Sequence, residues 1–195
     1  MDHRYRLELP RLGADTAPAP ARELLQRVKA HAGAVPNLYA AMANSPGLLA
    51  TYLLGMEQFQ RASGFSPAEQ EAVFLAISRA NGCHYCLAAH SAAAGVRAKL
   101  PRQEVDALRA GRPPSAPRLR ALTEFARELM LHRGRPPQAA MERFFAAGYE
   151  ERHVLELVLA LALKTISNYT SHLAQPELDR MFAPYAVRAE EAVGG

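Results

Sequence analysis

The sequence predicts an all-α fold, most simply a helical bundle. Three observations carry that reading. Proline or a capping residue opens most segments and glycine closes several of them. Apolar residues share helical faces, as Leu24, Leu25 and Val28 do. No stretch between turn signals alternates apolar and polar residues with period two, so strands are not expected.

Taken in order, residues 20–32 read as a first helix, with Pro20 at its opening position and Gly33 at its end. Pro36 opens a short turn of helix reaching about residue 43. Ser45-Pro46 pairs an N-cap with a proline at the first helical position and launches a helix to about residue 62. Ser66-Pro67-Ala68-Glu69 repeats the device as a capping box, since Glu69 can reach back to the cap amide. That helix runs to about residue 79, where Asn81-Gly82 ends it. The next starts at the cysteines and stops near Gly95. Helices over 101–110, 117–133 and 137–147 are closed by Gly111, Gly134 and Gly148, and 150–173 is the longest. Pro176 opens a last short helix over 176–182. Residues 1–19, with Pro10 and Pro18, read as an N-terminal arm that docks on the body or on a neighbouring subunit. Residues 20–195 read as a single domain, since Gly111-Arg112-Pro113-Pro114-Ser115 is too short a link to separate two.

Composition excludes several classes. The chain has 195 residues, 49% of them hydrophobic and 22% charged, the balance of a folded globular protein. Two cysteines are too few for a secreted disulfide scaffold, which points to the cytoplasm. The first residues mix charges and lack the apolar stretch of a signal peptide. The longest apolar run, 154–163, is interrupted by Glu156 and falls short of the roughly 20 residues of a membrane span, so a core helix explains it. Net charge is +4, and the excess is local: residues 97–120 carry seven basic side chains against Glu104 and Asp106. A basic stretch can attract phosphates or acidic partners. No aromatic residue interleaves with these cations, so no base-stacking platform exists and nucleic acid is not an expected partner. A solvated surface is the favoured reading.

The chemistry concentrates in Asn81-Gly82-Cys83-His84-Tyr85-Cys86-Leu87-Ala88-Ala89-His90. Cysteines at i and i+3 lie on one helical face, near enough to close a disulfide, and His90 lies one turn beyond Cys86 on that face. The first turn of a helix favours a thiolate. An imidazole one turn away can carry a proton to or from sulfur. The tight Asn-Gly turn can fold the preceding helix back so that Glu71 fixes the imidazole's tautomer. Two sulfurs, a histidine and a carboxylate are what reversible thiol oxidation requires. Two other readings stay open. A zinc site would need further ligands, with Glu71 a conceivable one, and no second Cys/His pair has suitable spacing. The cysteines could also be small inert core residues. A thioredoxin-type motif would follow a strand, and none is expected here.

The spacing Glu71-x11-Cys83-x-x-Cys86-x3-His90 on an all-helical background resembles the AhpD-like alkylhydroperoxidase branch of the carboxymuconolactone decarboxylase superfamily. The likeness is strongest over residues 66–95. It extends back through Val35-Pro36-Asn37-Leu38 and Asn44-Ser45-Pro46, as in an uncharacterised peroxidase-related subgroup, and forward to Asn168-Tyr169. The resemblance implies an AhpD-like helical bundle and a peroxidase cycle. In it Cys86 attacks the peroxide, Cys83 resolves the sulfenic acid to a disulfide, and Glu71 and His90 relay the proton. It also implies no bound cofactor, an external dithiol reductant of lipoyl type carried by a partner protein, and a homo-oligomer, a trimer or hexamer. Helix position favours the thiolate at Cys83 and His90 favours it at Cys86; the order of attack comes from the resemblance alone.

One slot departs from the pattern. The best-known members carry histidine immediately before the second cysteine; here Tyr85 stands there and His84 is one place earlier, about 100 degrees around the helix. His84 is therefore expected to leave the relay, and Tyr85 to pack or to supply a hydroxyl as an accessory group. Decarboxylase members lack the cysteine pair, which argues against that activity. Asn168 and His172, one turn apart, could face the site, but a surface or capping role is favoured. His3, His31, His132 and His153 have no partner pattern and read as surface residues. The leading expectation is thus a cytoplasmic peroxidase acting on hydrogen peroxide or organic hydroperoxides, the latter in a pocket lined by apolar helices. The alternative is a redox-responsive oligomeric binding or sensor protein with little turnover, its basic 97–120 segment meeting a partner.

Overall fold

The first turn of each helix sets the architecture. In the computed structural model, which describes residues 5–187, helices α1 (Ala19–Ala32), α2 (Asn37–Met42), α3 (Pro46–Ala62), α4 (Pro67–Ala80) and α5 (His84–Val96) lead into α6 (Arg102–Arg109), α7 (Pro117–Leu131), α8 (Gln138–Ala146) and α9 (Glu151–Ala174). A 3-10 segment, Arg180–Tyr185, follows. Among the described residues there is no strand. The capping box at Ser66 forms as expected: Glu69 N–H donates to Ser66 Oγ and Ser66 N–H to Glu69 Oε2. Ser45 occupies its N-cap position but makes no side-chain cap bond, so Pro46 alone starts α3.

At the centre lies α4, buried nearly all round by Gln70, Glu71, Ala72, Val73, Phe74, Leu75, Ile77 and Ser78. Against it pack α5, α6, α7 and α9, while α2 and α3 cover α9, α1 covers α3 and α8 covers α7. Such all-round burial marks a helix inside the core rather than on its surface. Each large apolar side chain fully enclosed there, such as Phe74 or Leu75, stabilises the fold by roughly 2–3 kcal/mol. Between α3 and α9 the approach is close at Gly55. A Cβ on Gly55 would lie 2.6 Å from Leu163 Cδ2.

Three expectations change. The last helix is not at 176–182 but is a 3-10 segment starting four residues later. Gln175 closes α9 in left-handed backbone at φ 44°, residues 176–179 form no helix, and Asp179 is held at the N-terminus of α2, where Asn37 N–H donates to its carboxylate at 3.1 Å. The 154–163 run is only half core: Leu157, Ala160 and Leu163 are buried, whereas Leu155 and Val158 face outward, 71% and 49% exposed. His153 is no surface residue; it is buried against Phe65 and Tyr149, and its Nδ1 accepts the Glu150 amide at the start of α9. His31 and His132 are exposed, and His3 lies outside the described residues. The described part of the arm docks on its own chain. Leu7 N–H donates to Leu173 O at 2.9 Å, Asn44 Nδ2 to Pro10 O at 3.1 Å, and Ala14 and Ala17 are buried. No helix is long and apolar enough to cross a membrane among the described residues.

The basic segment is largely spent on holding the fold. Arg109 donates to Ser91 Oγ and Tyr185 O, Arg118 to Glu69 and Ala147 O, and Arg120 to Pro114 O. Buried Glu104 accepts the Ser115 and Ala116 amides and the Ser115 hydroxyl, fixing the proline-rich turn at the start of α7. Glu104→Ala leaves those donors unsatisfied and is expected to cost about 2 kcal/mol in urea unfolding. A loss within 0.5 kcal/mol, roughly that of an ordinary surface change, would show that water replaces the carboxylate there.

Candidate functional site

The cysteine pair is positioned by how α4 ends. Gly82 adopts φ +65°, its N–H donates to Arg79 O at 3.0 Å, and Cys83 N–H reaches back to Ser78 O at 2.9 Å. This double closure is a Schellman motif, and it needs a residue tolerant of left-handed backbone at position 82. It delivers Cys83 as the N-cap of α5 and puts Cys86 in the first turn. The reversal lays α5 along α4, so Glu71 on α4 meets His90 on α5.

The structure thus brings Cys83, Cys86, His90 and Glu71 to one place. Both cysteines are free thiols, 0% and 2% exposed. Glu71 Oε2 lies 2.8 Å from His90 Nδ1, and its Oε1 accepts from Arg97 at 2.9 Å. Burial pushes the Glu71 carboxyl up, but His90 and then Arg97 outweigh it and hold it below the usual carboxylate range. Engaging Nδ1 leaves Nε2 as the ring nitrogen for proton transfer. Phe74 packs on the imidazole with ring centroids 4.8 Å apart.

Geometry also separates the two sulfurs, which sequence position alone left equivalent. The Cys83 thiol donates to Cys86, and this hydrogen bond, together with burial and the Cys86 charge, pushes Cys83 far up. The same bond holds Cys86 well below the ordinary thiol range against its own burial, aided by the charges of Lys164 and His90 and by Asn168. Both effects favour Cys86 over Cys83 as the more acidic thiol.

Several groups here had no signal in the local motif. Lys164, Asn168 and Ser171, at i, i+4 and i+7 on α9, all bear on the thiol pair. Tyr39 and Tyr52 approach from α2 and α3, edge to face at 5.7 Å. Burial raises both phenols, and Cys86 adds to the effect on each. The surroundings expected to be apolar are therefore polar on the α9 side. Asn168 is not the surface or capping residue it was expected to be: it is fully buried, with Oδ1 accepting from Asn81 Nδ2 at 2.9 Å. His172 is exposed. The signal was available in the heptad-like spacing of polar residues on an otherwise apolar helix.

Tyr85 and His84 go elsewhere. His84 is exposed. Tyr85 is buried; its hydroxyl donates to Asp179 and accepts the Leu38 amide at 3.3 Å, while its ring meets Phe182 edge-on. It pins the C-terminal segment and α2 over α5, and its hydroxyl is thereby committed. Burial, with Asp179 beside it, raises the phenol strongly. Among the described residues no three His, Cys, Asp or Glu side chains converge as a metal ion would require.

A profile of the Carboxymuconolactone decarboxylase family matches residues 47–128, the stretch that contains α4, α5 and the thiol pair. A search of curated proteins finds no significant match. Among solved structures, the chain is similar to an uncharacterised peroxidase-related protein with an alkylhydroperoxidase AhpD core from Ralstonia eutropha JMP134. The TM-score is 0.79 at 22% identity, over 89% of this chain and 93% of that one. It is also similar to an uncharacterised peroxidase-related protein from Silicibacter sp. TM1040, with TM-score 0.76 at 21% identity over 93% and 95% of the two chains. At such identities the likeness is one of fold, and it extends well beyond the matched segment at both ends. The chain thus shares the all-α fold of these two structures, and its likeness to the Carboxymuconolactone decarboxylase family lies in residues 47–128.

Proposed function

We propose that the protein is a thiol-dependent peroxidase that reduces hydrogen peroxide or organic hydroperoxides through Cys86 and Cys83. The observation that carries the reading is the thiol pair itself: a Cys86 thiolate receiving a hydrogen bond from Cys83, beside an imidazole whose other nitrogen is held by Glu71. In the first step the Cys86 sulfur attacks one peroxide oxygen. The O–O bond breaks, sulfur is oxidised to the sulfenic acid, and the departing alkoxide or hydroxide takes a proton by way of His90. Cys83 then attacks the Cys86 sulfur, expelling water and closing the disulfide. An external dithiol, of the lipoyl type, returns the pair to thiol and thiolate by exchange, so the cycle needs no bound cofactor. Resetting it needs a reducing compartment, so the proposal includes a cytoplasmic location. The outward Leu155 and Val158 on α9 supply apolar surface for the homo-oligomer, a trimer or hexamer, that this reading includes.

Burial of both sulfurs favours a second reading, a redox-responsive protein that oxidises once and turns over little. Its partner surface would not be the 97–120 segment as a whole, because Arg97, Arg109, Arg118 and Arg120 are engaged within the chain. A steady-state assay separates the two: peroxide consumption supported by dihydrolipoamide, with a non-lipoyl dithiol beside it. Multiple turnovers, at least tenfold faster with dihydrolipoamide, are expected. One equivalent of peroxide consumed per subunit with either dithiol would leave the switch.

A further inference from the structure

Lys164 is fully buried, yet its ammonium nitrogen makes no hydrogen bond. Among the described residues it shares that condition with one other buried side-chain nitrogen, Nδ2 of Asn168, one turn along the same face of α9. Two unpaired donors side by side are a marked exception to the rule that buried polar groups find partners. Both bear on Cys86. The ammonium lies 5.5 Å over the Phe74 ring, the ring that also packs on His90, and a cation over an aromatic face recovers only part of what it loses on leaving water.

The charges around the thiol pair do not balance without sulfur. His90 and Arg97 both pair with Glu71. The other titratable groups that interact with Cys86 are Cys83 and Tyr85 from its own helix segment, Tyr39 from α2 and Tyr52 from α3, all neutral phenols or a thiol at neutral pH. Lys164 comes from α9 with no carboxylate paired to it among the described residues, and the Glu71 carboxylate is already engaged by His90 and Arg97. An uncompensated buried ammonium is costly, and the anion within its field is the Cys86 sulfur.

We propose that Lys164 is the buried cation that holds Cys86 as a thiolate in the reduced protein, and that closing the disulfide strips it of its counter-charge and so makes the Cys83–Cys86 disulfide oxidising. The inference rests on the two-thiol centre of the proposed function and names what sets its redox balance. Reduction takes two electrons from an external dithiol, which becomes its own disulfide. One of the dithiol's two protons goes to Cys83, the other is released, and Cys86 is left as the anion that Lys164 requires. The reduced state thus gains an ion pair that the oxidised state lacks, which pulls the equilibrium toward thiols, as it does wherever a reduced pair is selectively stabilised. Asn168 places a second donor beside the same sulfur.

The test compares the wild-type protein with Lys164→Met, which keeps the shape, and Lys164→Gln, which keeps polarity; circular dichroism identifies the folded variants, and one suffices. The first measurement is the pH dependence of Cys86 alkylation by iodoacetamide, located by peptide mapping. The second is the disulfide equilibrium against dithiothreitol. The pH of half-maximal alkylation is expected to rise by at least one unit, a tenfold weaker acid. The equilibrium is expected to move at least tenfold toward the disulfide, which is about 30 mV more reducing. Changes below twofold in both would overturn the proposal, as would an equilibrium moving toward the thiols. Neither measurement uses a peroxide. A wild-type protein that fails to consume peroxide, with the variant shifts intact, would end the peroxidase reading and leave this one standing; unshifted variants of an active peroxidase would do the reverse.

Discussion

Cys86→Ser is expected to lower peroxide consumption by about 10³-fold or more, while Cys83→Ser still reacts once and stops at a sulfenic acid trappable with dimedone. The asymmetry follows from the direction of one hydrogen bond. In the proposed cycle Cys86 receives it and is favoured as the thiolate, and Cys83 donates it. A serine hydroxyl at 86 is not ionised near neutral pH and has no comparable nucleophile to offer. At 83, by contrast, a serine O–H can still donate to the Cys86 sulfur, so the first step survives, but it cannot form a disulfide. Cys83→Ala removes the donor as well and should therefore move Cys86 alkylation to higher pH than Cys83→Ser does. Equal, unimpaired turnover in the two serine variants, or dimedone labelling of position 83 rather than 86, would end the assignment.

Glu71→Gln carries the second large effect, on rate and on stability together. Glu71 is 4% exposed at its side chain and bridges His90, itself 12% exposed, to the outward Arg97. Glutamine keeps the shape but removes the charge that orients the imidazole. A loss of about 10²-fold in kcat/KM is expected, the lower end of what positioned acid–base catalysis contributes. Breaking a fully buried ion pair costs roughly 3–5 kcal/mol; because the Arg97 head remains in water, about 2 kcal/mol is expected here at neutral pH. The sign of its pH dependence follows from the depressed carboxyl. Stability from Glu71 is complete above its unfolded value of about 4.3 and is lost as pH falls through the lower folded one. Urea unfolding of the wild type and Glu71→Gln should therefore converge below about pH 4, having differed at pH 7. Parallel curves across that range would show that the Glu71 charge does not couple to folding.

Much of the helical punctuation could be read directly because it is local. The Ser66–Glu69 box, Pro46 and Pro117 at first helical positions, and Gly33 after α1 act through their own neighbours. The same holds for the i, i+3, i+7 placement of Cys83, Cys86 and His90, since one helix carries all three. Errors fell where a distant group intervened. Asp179, capping α2 and meeting Tyr85, holds residues 176–179 out of a helix. The arginine-rich window is largely exposed, as a solvated surface should be, and Arg97, Arg109 and Arg118 in addition reach Glu71, Tyr185 O and Glu69. His153 looked solitary in the sequence because its partners, Phe65 and Tyr149, join it only through packing.

By itself, then, the sequence determined an all-helical chain with a two-cysteine helix start, a histidine one turn on, and a glutamate within reach across an Asn-Gly turn. What favours one sulfur over the other for the charge came only from the tertiary structure. Along α5 the helix terminus and His90 pull in opposite directions. The balance is tipped by a proton that Cys83 directs at Cys86 and by Lys164 and Asn168, which arrive on α9 about eighty residues later in the chain. A charge's energy depends on distance and on the dielectric around it, and a linear sequence specifies neither until the helices have packed.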